Sequence, residues 1–160
     1  MTISRRMALC VSITVCAPWG CSGEAPVVEI LEASPQELST GDDALDDLTI
    51  RLRYSDPDGD LGGGVAAIHD CRAEGLVAEL PIPEIANAEA VEAGVAIEGE
   101  LSLVVADVGA LTPTDTAPAA CADLGVGAPD GGKQAFCVFL TDAAGNESAG
   151  ACTRPVLIAP

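Results

Sequence analysis

Residues Asp46 to Gly64 read D-D-L-T-I-R-L-R-Y-S-D-P-D-G-D-L-G-G-G. The first half alternates strictly: Leu48, Ile50, Leu52 and Tyr54 fall on one side, Thr49, Arg51, Arg53 and Ser55 on the other. Side chains of an extended chain point to opposite faces in turn, so this period of two specifies a strand with one buried face. The second half is an acidic turn with Asp56, Asp58 and Asp60 at alternate positions, closed by Gly62, Gly63 and Gly64. The stretch predicts a core strand that delivers three carboxylates to one pole of a β domain.

Working outward, residues 27–31 (V-V-E-I-L) predict a strand ended by Ser34-Pro35, and residues 36–47 an acidic, turn-rich connection. A short strand is expected at 65–71. Another, at 76–82, belongs at a sheet edge, because Pro81 and Pro83 cannot donate to a ladder. Residues 84–93 carry helical propensity and fit either a turn or two of helix or a crossing loop. Residues 99–108 predict a strand with Leu101, Leu103 and Val105 on one face. The Pro- and Gly-rich stretch 112–132 is a long loop, tied down through Cys121.

Residues 133–141 (K-Q-A-F-C-V-F-L-T) form the most apolar run after Cys21 and predict a central strand covered on both faces. Residues 142–147 are a hairpin connection, residues 148–153 return, and residues 156–158 end the domain with a last strand. About seven short strands, with turns every eight to twelve residues, argue an all-β antiparallel β-sandwich spanning residues 27–160.

Composition narrows the function. Arg5 and Arg6 precede Cys21, so the part after it carries five cations against 25 anions, a net charge of −20. Nucleic acid and anionic membrane surfaces need cationic partners and are excluded. The only Trp, Trp19, also precedes Cys21, leaving Tyr54, Phe136 and Phe139 as the later aromatics. Small residues dominate the rest, so each buried side chain brings little apolar area, and crosslinks or a bound ion would reinforce a thin core.

Residues 1–20 have a basic start, an apolar run too short to span a bilayer, and P-W-G before Cys21. That is the build of a signal peptide. Gly20-Cys21 followed by S-G-E resembles the lipobox of bacterial lipoproteins. The resemblance implies lipidation of Cys21, a tether over residues 21–26, and membrane association at the cell envelope, with the outer membrane favoured because no Asp follows the cysteine. The alternative is ordinary secretion after cleavage nearby. Ser4-Arg5-Arg6 is also similar to a twin-arginine signal, although Ala8 stands where a bulky apolar residue belongs.

Y-S-D-P-D-G-D-L and L-T-D-A-A-G-N-E-S resemble the paired signatures of bacterial immunoglobulin-like and cadherin-like repeats. The resemblance implies an immunoglobulin-like sandwich and a role in binding, adhesion or spacing, toward a protein or envelope partner that the sequence does not identify. In such a topology the two loops share a pole. Asp56, Asp58 and Asp60 would then meet Asp142, Asn146 and Glu147, an oxygen-rich set of the kind Ca²⁺ takes. An EF-hand does not fit, since Leu61 replaces its glycine and Ala67 its bidentate glutamate. The other reading of these residues is an ordinary turn, with Asp142 bracing its own hairpin. No G-x-S-x-G or H-E-x-x-H occurs and His69 is the single histidine, so no enzyme is expected. A periplasmic inhibitor or scavenger of a basic protein is the alternative function.

Cysteines 10 and 16 leave with the signal and Cys21 takes lipid, so Cys71, Cys121, Cys137 and Cys152 remain, an even number for an oxidising compartment. No C-x-x-C pair points to a metal site. A hairpin folded about Ala144-Gly145 places Leu140 opposite Ala149, Val138 opposite Ala151, and Cys137 opposite Cys152, within reach of a disulfide. Cys71 is left for Cys121. A one-residue change of register favours the rival pairing, Cys71 to Cys137 and Cys121 to Cys152.

Overall fold

The computed structural model describes residues 23–39, 46–72, 76–84, 95–106, 108, 117–127 and 133–159. The expected signal segment 1–20, Cys21, nearly all of the 84–93 stretch and much of the expected 112–132 loop lie outside them.

The described elements are β1 (Val27–Ser34), β2 (Glu37–Ser39), β3 (Leu48–Asp56), β4 (Val65–Asp70), β5 (Leu76–Pro81), β6 (Ile97–Val105), one helical turn α1 (Ala119–Ala122), β7 (Lys133–Gln134), β8 (Phe136–Thr141), β9 (Ala151–Cys152) and β10 (Val156–Ala159). The protein is all-β. One sheet runs β1-β3-β6, a second β5-β4-β8-β9, and a short ribbon runs β2-β10-β7. Every pairing is antiparallel except that of β2 with β10. The chain leaves β1 for β2 at a cis Ser34–Pro35 bond.

β3 is the central strand of the first sheet. Its ladder to β6 is unbroken from Leu48↔Val105 to Asp56↔Ile97. The alternation read from the sequence is its burial pattern: Leu48, Ile50 and Leu52 are wholly buried and Tyr54 nearly so. Ala66 and Ile68 of β4 and Phe136, Val138 and Leu140 of β8 belong to the same core cluster. Burial of each large apolar side chain contributes about 1.5–3 kcal/mol. The outward face carries Arg51, paired with Glu32 at 3.4 Å and Glu100 at 3.2 Å, and Arg53, paired with Glu29 at 3.3 Å. These pairs are half exposed, so each is worth less than about 1 kcal/mol.

β8 is central and covered on both faces, as its apolar run predicts. Phe136, Val138 and Leu140 enter the main core, while Cys137 and Phe139 join a second cluster with Cys71, Cys121, Ala135 and Leu124. The run is nevertheless two strands. It breaks at Ala135, with Lys133 and Gln134 paired to β10 and the remainder to β4 and β9. The break at Ala135, and β2 within the stretch expected as a connection, give more and shorter strands than the seven expected, while the interruption between β9 and β10 falls where the sequence places it.

Both disulfides have the hairpin pairing, Cys71–Cys121 with Cα atoms 5.8 Å apart and Cys137–Cys152 at 4.0 Å. Cys137↔Cys152 and Val138↔Ala151 are opposed, and Thr153 continues the register by exchanging bonds with Phe136. Nearer the turn the register differs by one residue. Ser148, not Ala149, faces Leu140: its N–H donates to the Leu140 carbonyl at 2.8 Å and its Oγ accepts from the Leu140 N–H at 2.9 Å. The extra residue is absorbed at Ala149-Gly150. Gly150 has φ +78°, and a Cβ there would come within 2.5 Å of the Phe139 ring. A β-bulge of this type needs glycine and is invisible to counting outward from the turn.

Candidate cation site

Asp56 is the last residue of β3, and the parity that buries Leu48, Ile50, Leu52 and Tyr54 buries it too. Its Oδ2 accepts the Leu61 N–H at 2.8 Å, which folds the following loop back over it. The β3–β4 loop then meets the β8–β9 hairpin: the Ala143 N–H donates to the Asp60 carbonyl at 3.1 Å. Gly64 permits this approach, since a Cβ there would lie 2.1 Å from the Thr141 carbonyl oxygen.

The result is a cluster of Asp56, Asp58, Asp60 and Asp142 in which one carboxylate oxygen from each lies within 4.8 Å of the others. Asp56 is wholly buried and Asp142 3% exposed. Oδ1 of Asp56, of Asp58 and of Asp60 is buried with no hydrogen-bond partner. Buried polar atoms are almost always satisfied, so this group calls for either protons shared between the carboxylates or a bound cation. Two oxygens on opposite sides of a Ca²⁺ ion bound at 2.3–2.6 Å stand about 4.6–5.2 Å apart, so the separations accommodate it. A set of carboxylates alone suits a hard cation and no soft one.

Asn146 has a supporting position. Its backbone N–H donates to Asp142 Oδ1 at 2.8 Å and its Nδ2 to Asp142 Oδ2 at 2.9 Å, holding that carboxylate toward the cluster. Asp142 therefore both braces its hairpin and faces the other three. Glu147 is exposed and outside the group. Gly23 lies against the cluster as well, since a Cβ there would meet Asp58 Oδ2 at 1.8 Å and Asn146 Nδ2 at 3.1 Å. The acidic pole is thus the end of the domain at which Gly23 lies.

The electrostatics match the geometry. Burial, together with the charges of Asp58 and Asp60, raises Asp56 from 3.8 to about 6, although the Leu61 N–H opposes the rise. Asp60 is raised by burial first and then by Asp142.

Three other groups stand out among the described residues. Asp70 and Arg72 form a buried ion pair that the sequence analysis missed; the i, i+2 spacing of opposite charges at a strand end was its only signal. His69 sits edge-on to Phe139, ring centres 5.5 Å apart, beside a cavity of about 420 Å³ that Asp123 and Glu147 also line. The residue across the ladder from it, Cys137, is held in a disulfide and is no free nucleophile. Sγ atoms of Cys71, Cys121 and Cys137 also cluster, but bonded sulfurs supply no thiolate ligands.

Compared with protein-family models, with curated proteins and with solved structures, the chain matches none.

Proposed function

We propose that the chain is an exported, lipid-anchored and non-catalytic module of immunoglobulin-like type, acting in binding, adhesion or spacing at the cell envelope, with Ca²⁺ stabilising its acidic pole. The strand order supports the immunoglobulin-like part. β1-β3-β6 facing β5-β4-β8-β9 follows the A-B-E and C′-C-F-G arrangement, and β2 leaves β1 to run parallel with the last strand. A role in binding or spacing rests on analogy with that fold. The observation that carries the cation is the set of three buried, unpartnered oxygens of Asp56, Asp58 and Asp60 beside Asp142.

Millimolar Ca²⁺ is expected to raise the melting temperature, and Asp58→Ala to abolish the response. A ligand at 100 times its dissociation constant adds about 2.7 kcal/mol. Identical melting curves in Ca²⁺ and in chelator would remove the cation from this reading. The anchor is tested separately. Cys21→Ser should move the protein from the membrane to the soluble fraction, and unchanged partitioning into detergent would refute lipidation.

One observation favours the second reading, an inhibitor or scavenger of a basic protein. Arg51 and Arg53 are ion-paired and Arg72 is buried against Asp70, so little positive charge offsets the acidic surface. Loss of a captured partner in moderate salt would support it.

A further inference from the structure

The four cysteines differ in their access to solvent. Cys71, Cys121 and Cys137 are wholly buried, whereas Cys152 is half-buried. Cys152 lines a cleft of about 550 Å³ between β1 and β9, with Ile30, Ala33, Gln36 and the exposed Arg154 among its other walls. Behind it the two disulfides touch: Cys71 Sγ and Cys137 Sγ are 3.4 Å apart. The Sγ of Cys121, which belongs to α1, lies within 4.8 Å of those of both Cys71 and Cys137, so the three sulfurs form a compact group.

We propose that the two disulfides form one thiol-exchange site, opened through Cys152 by a dithiol reductant and ending with Cys71 bonded to Cys137 and Cys121 set free. A thiolate of the dithiol enters the cleft, whose walls carry both Arg154 and Glu32, and attacks Cys152 Sγ. The bond from the dithiol to Cys152 forms, the Cys137–Cys152 bond breaks, and the electron pair passes to Cys137. The Cys137 thiolate then attacks the sulfur beside it. A Cys71–Cys137 bond forms, the Cys71–Cys121 bond breaks, and Cys121 leaves as a thiolate that takes a proton from water. The second thiol of the dithiol displaces Cys152, which also ends as a thiol. Two electrons and two protons have moved: one dithiol becomes a cyclic disulfide, and two protein disulfides become one disulfide and two thiols.

The fold tolerates this rearrangement. The cysteines lie in the second cluster, apart from the core built on β3, β4 and β8. Release of Cys121 frees α1, whose Ala120 lines the cavity beside His69 and Phe139, so exchange opens that cavity while the sheets stay intact.

The test is to treat the oxidised full-length protein with a stoichiometric amount of dithiothreitol in native buffer, alkylate, and map the two-electron-reduced species by non-reducing digestion and mass spectrometry. The expected species links Cys71 to Cys137 and carries alkyl groups on Cys121 and Cys152, with β3 amides still protected from exchange. A species that keeps Cys71–Cys121, or one that keeps Cys137–Cys152, overturns the proposal. Cys152→Ser gives a second check, because it leaves Cys137 without a partner. Alkylation of that variant should label Cys121, and label confined to Cys137 overturns the relay.

Discussion

Arg72→Ala is expected to destabilise the protein by about 3–5 kcal/mol, since removing one partner of a buried pair strands the other charge. Asp70 is wholly buried and the Arg72 side chain 4% exposed. The guanidinium bonds the carboxylate through Nε and Nη2, and Nη2 also donates to the Val108 carbonyl at 2.8 Å. Arg72 thereby joins the end of β4 to the chain just beyond β6, next to the Cys71–Cys121 bond. Adding Asp70→Asn to the Arg72→Ala protein should recover part of the loss, because an amide keeps the bond from the Arg72 N–H without a buried charge. Urea denaturation of the wild type, the single and the double variant measures this. A single variant within about 1 kcal/mol of wild type would mean that water reaches Asp70 and that the pair is not buried in solution.

What the sequence revealed and what it hid divide along a physical line. Strict alternation from Leu48 to Tyr54 set the inward face of β3, because period two in an extended chain leaves no freedom. The same parity extends to Asp56, so its burial was legible as well. Pro81 marked β5 as an edge strand, and β5 is the outermost strand of its sheet. Cys137 opposite Cys152 was reached by counting outward from Ala144-Gly145, a register the structure holds only beyond Gly150. The bulge at Gly150 was not legible: the strands leave the turn one residue out of that register, with Leu140 facing Ser148, and the extra residue at Ala149-Gly150 brings Cys137 back opposite Cys152. The break at Ala135 was hidden by an apolar run that stays apolar while the strand changes sheets. The Asp70–Arg72 pair was hidden because burial of charge depends on what packs above it. In the candidate site, the gathering of four aspartates depended on the β3–β4 loop and the β8–β9 hairpin sharing a pole. That placement came from topology, whereas the bracing role of Asn146 required coordinates.

The ion-free protein should lose stability as pH rises from about 4 to about 6, and Ca²⁺ should reverse that slope. The folded state holds Asp56 at about 6 against 3.8 for the free side chain. Between those values the folded chain binds a proton that the unfolded chain has released, so stability falls as pH rises and stays low above the window. An elevation of this size, at about 1.4 kcal/mol per pH unit, costs up to about 3 kcal/mol at neutral pH. Asp60, raised by burial and by Asp142, adds in the same direction. Ca²⁺ binds the ionised carboxylates, so its affinity should climb through the same window and replace the penalty with a gain. Asp56→Asn separates the two effects. The amide keeps an acceptor for the Leu61 N–H and offers a donor to the unpartnered oxygens of Asp58 and Asp60. The ion-free variant should therefore be more stable than wild type at neutral pH, show a shallower pH profile, and gain nothing from Ca²⁺. Melting curves for both proteins across pH 4–8, with chelator and with Ca²⁺, make the comparison. Coincident ion-free profiles would mean that Asp56 is ionised at no cost, and the buried cluster would then need no cation.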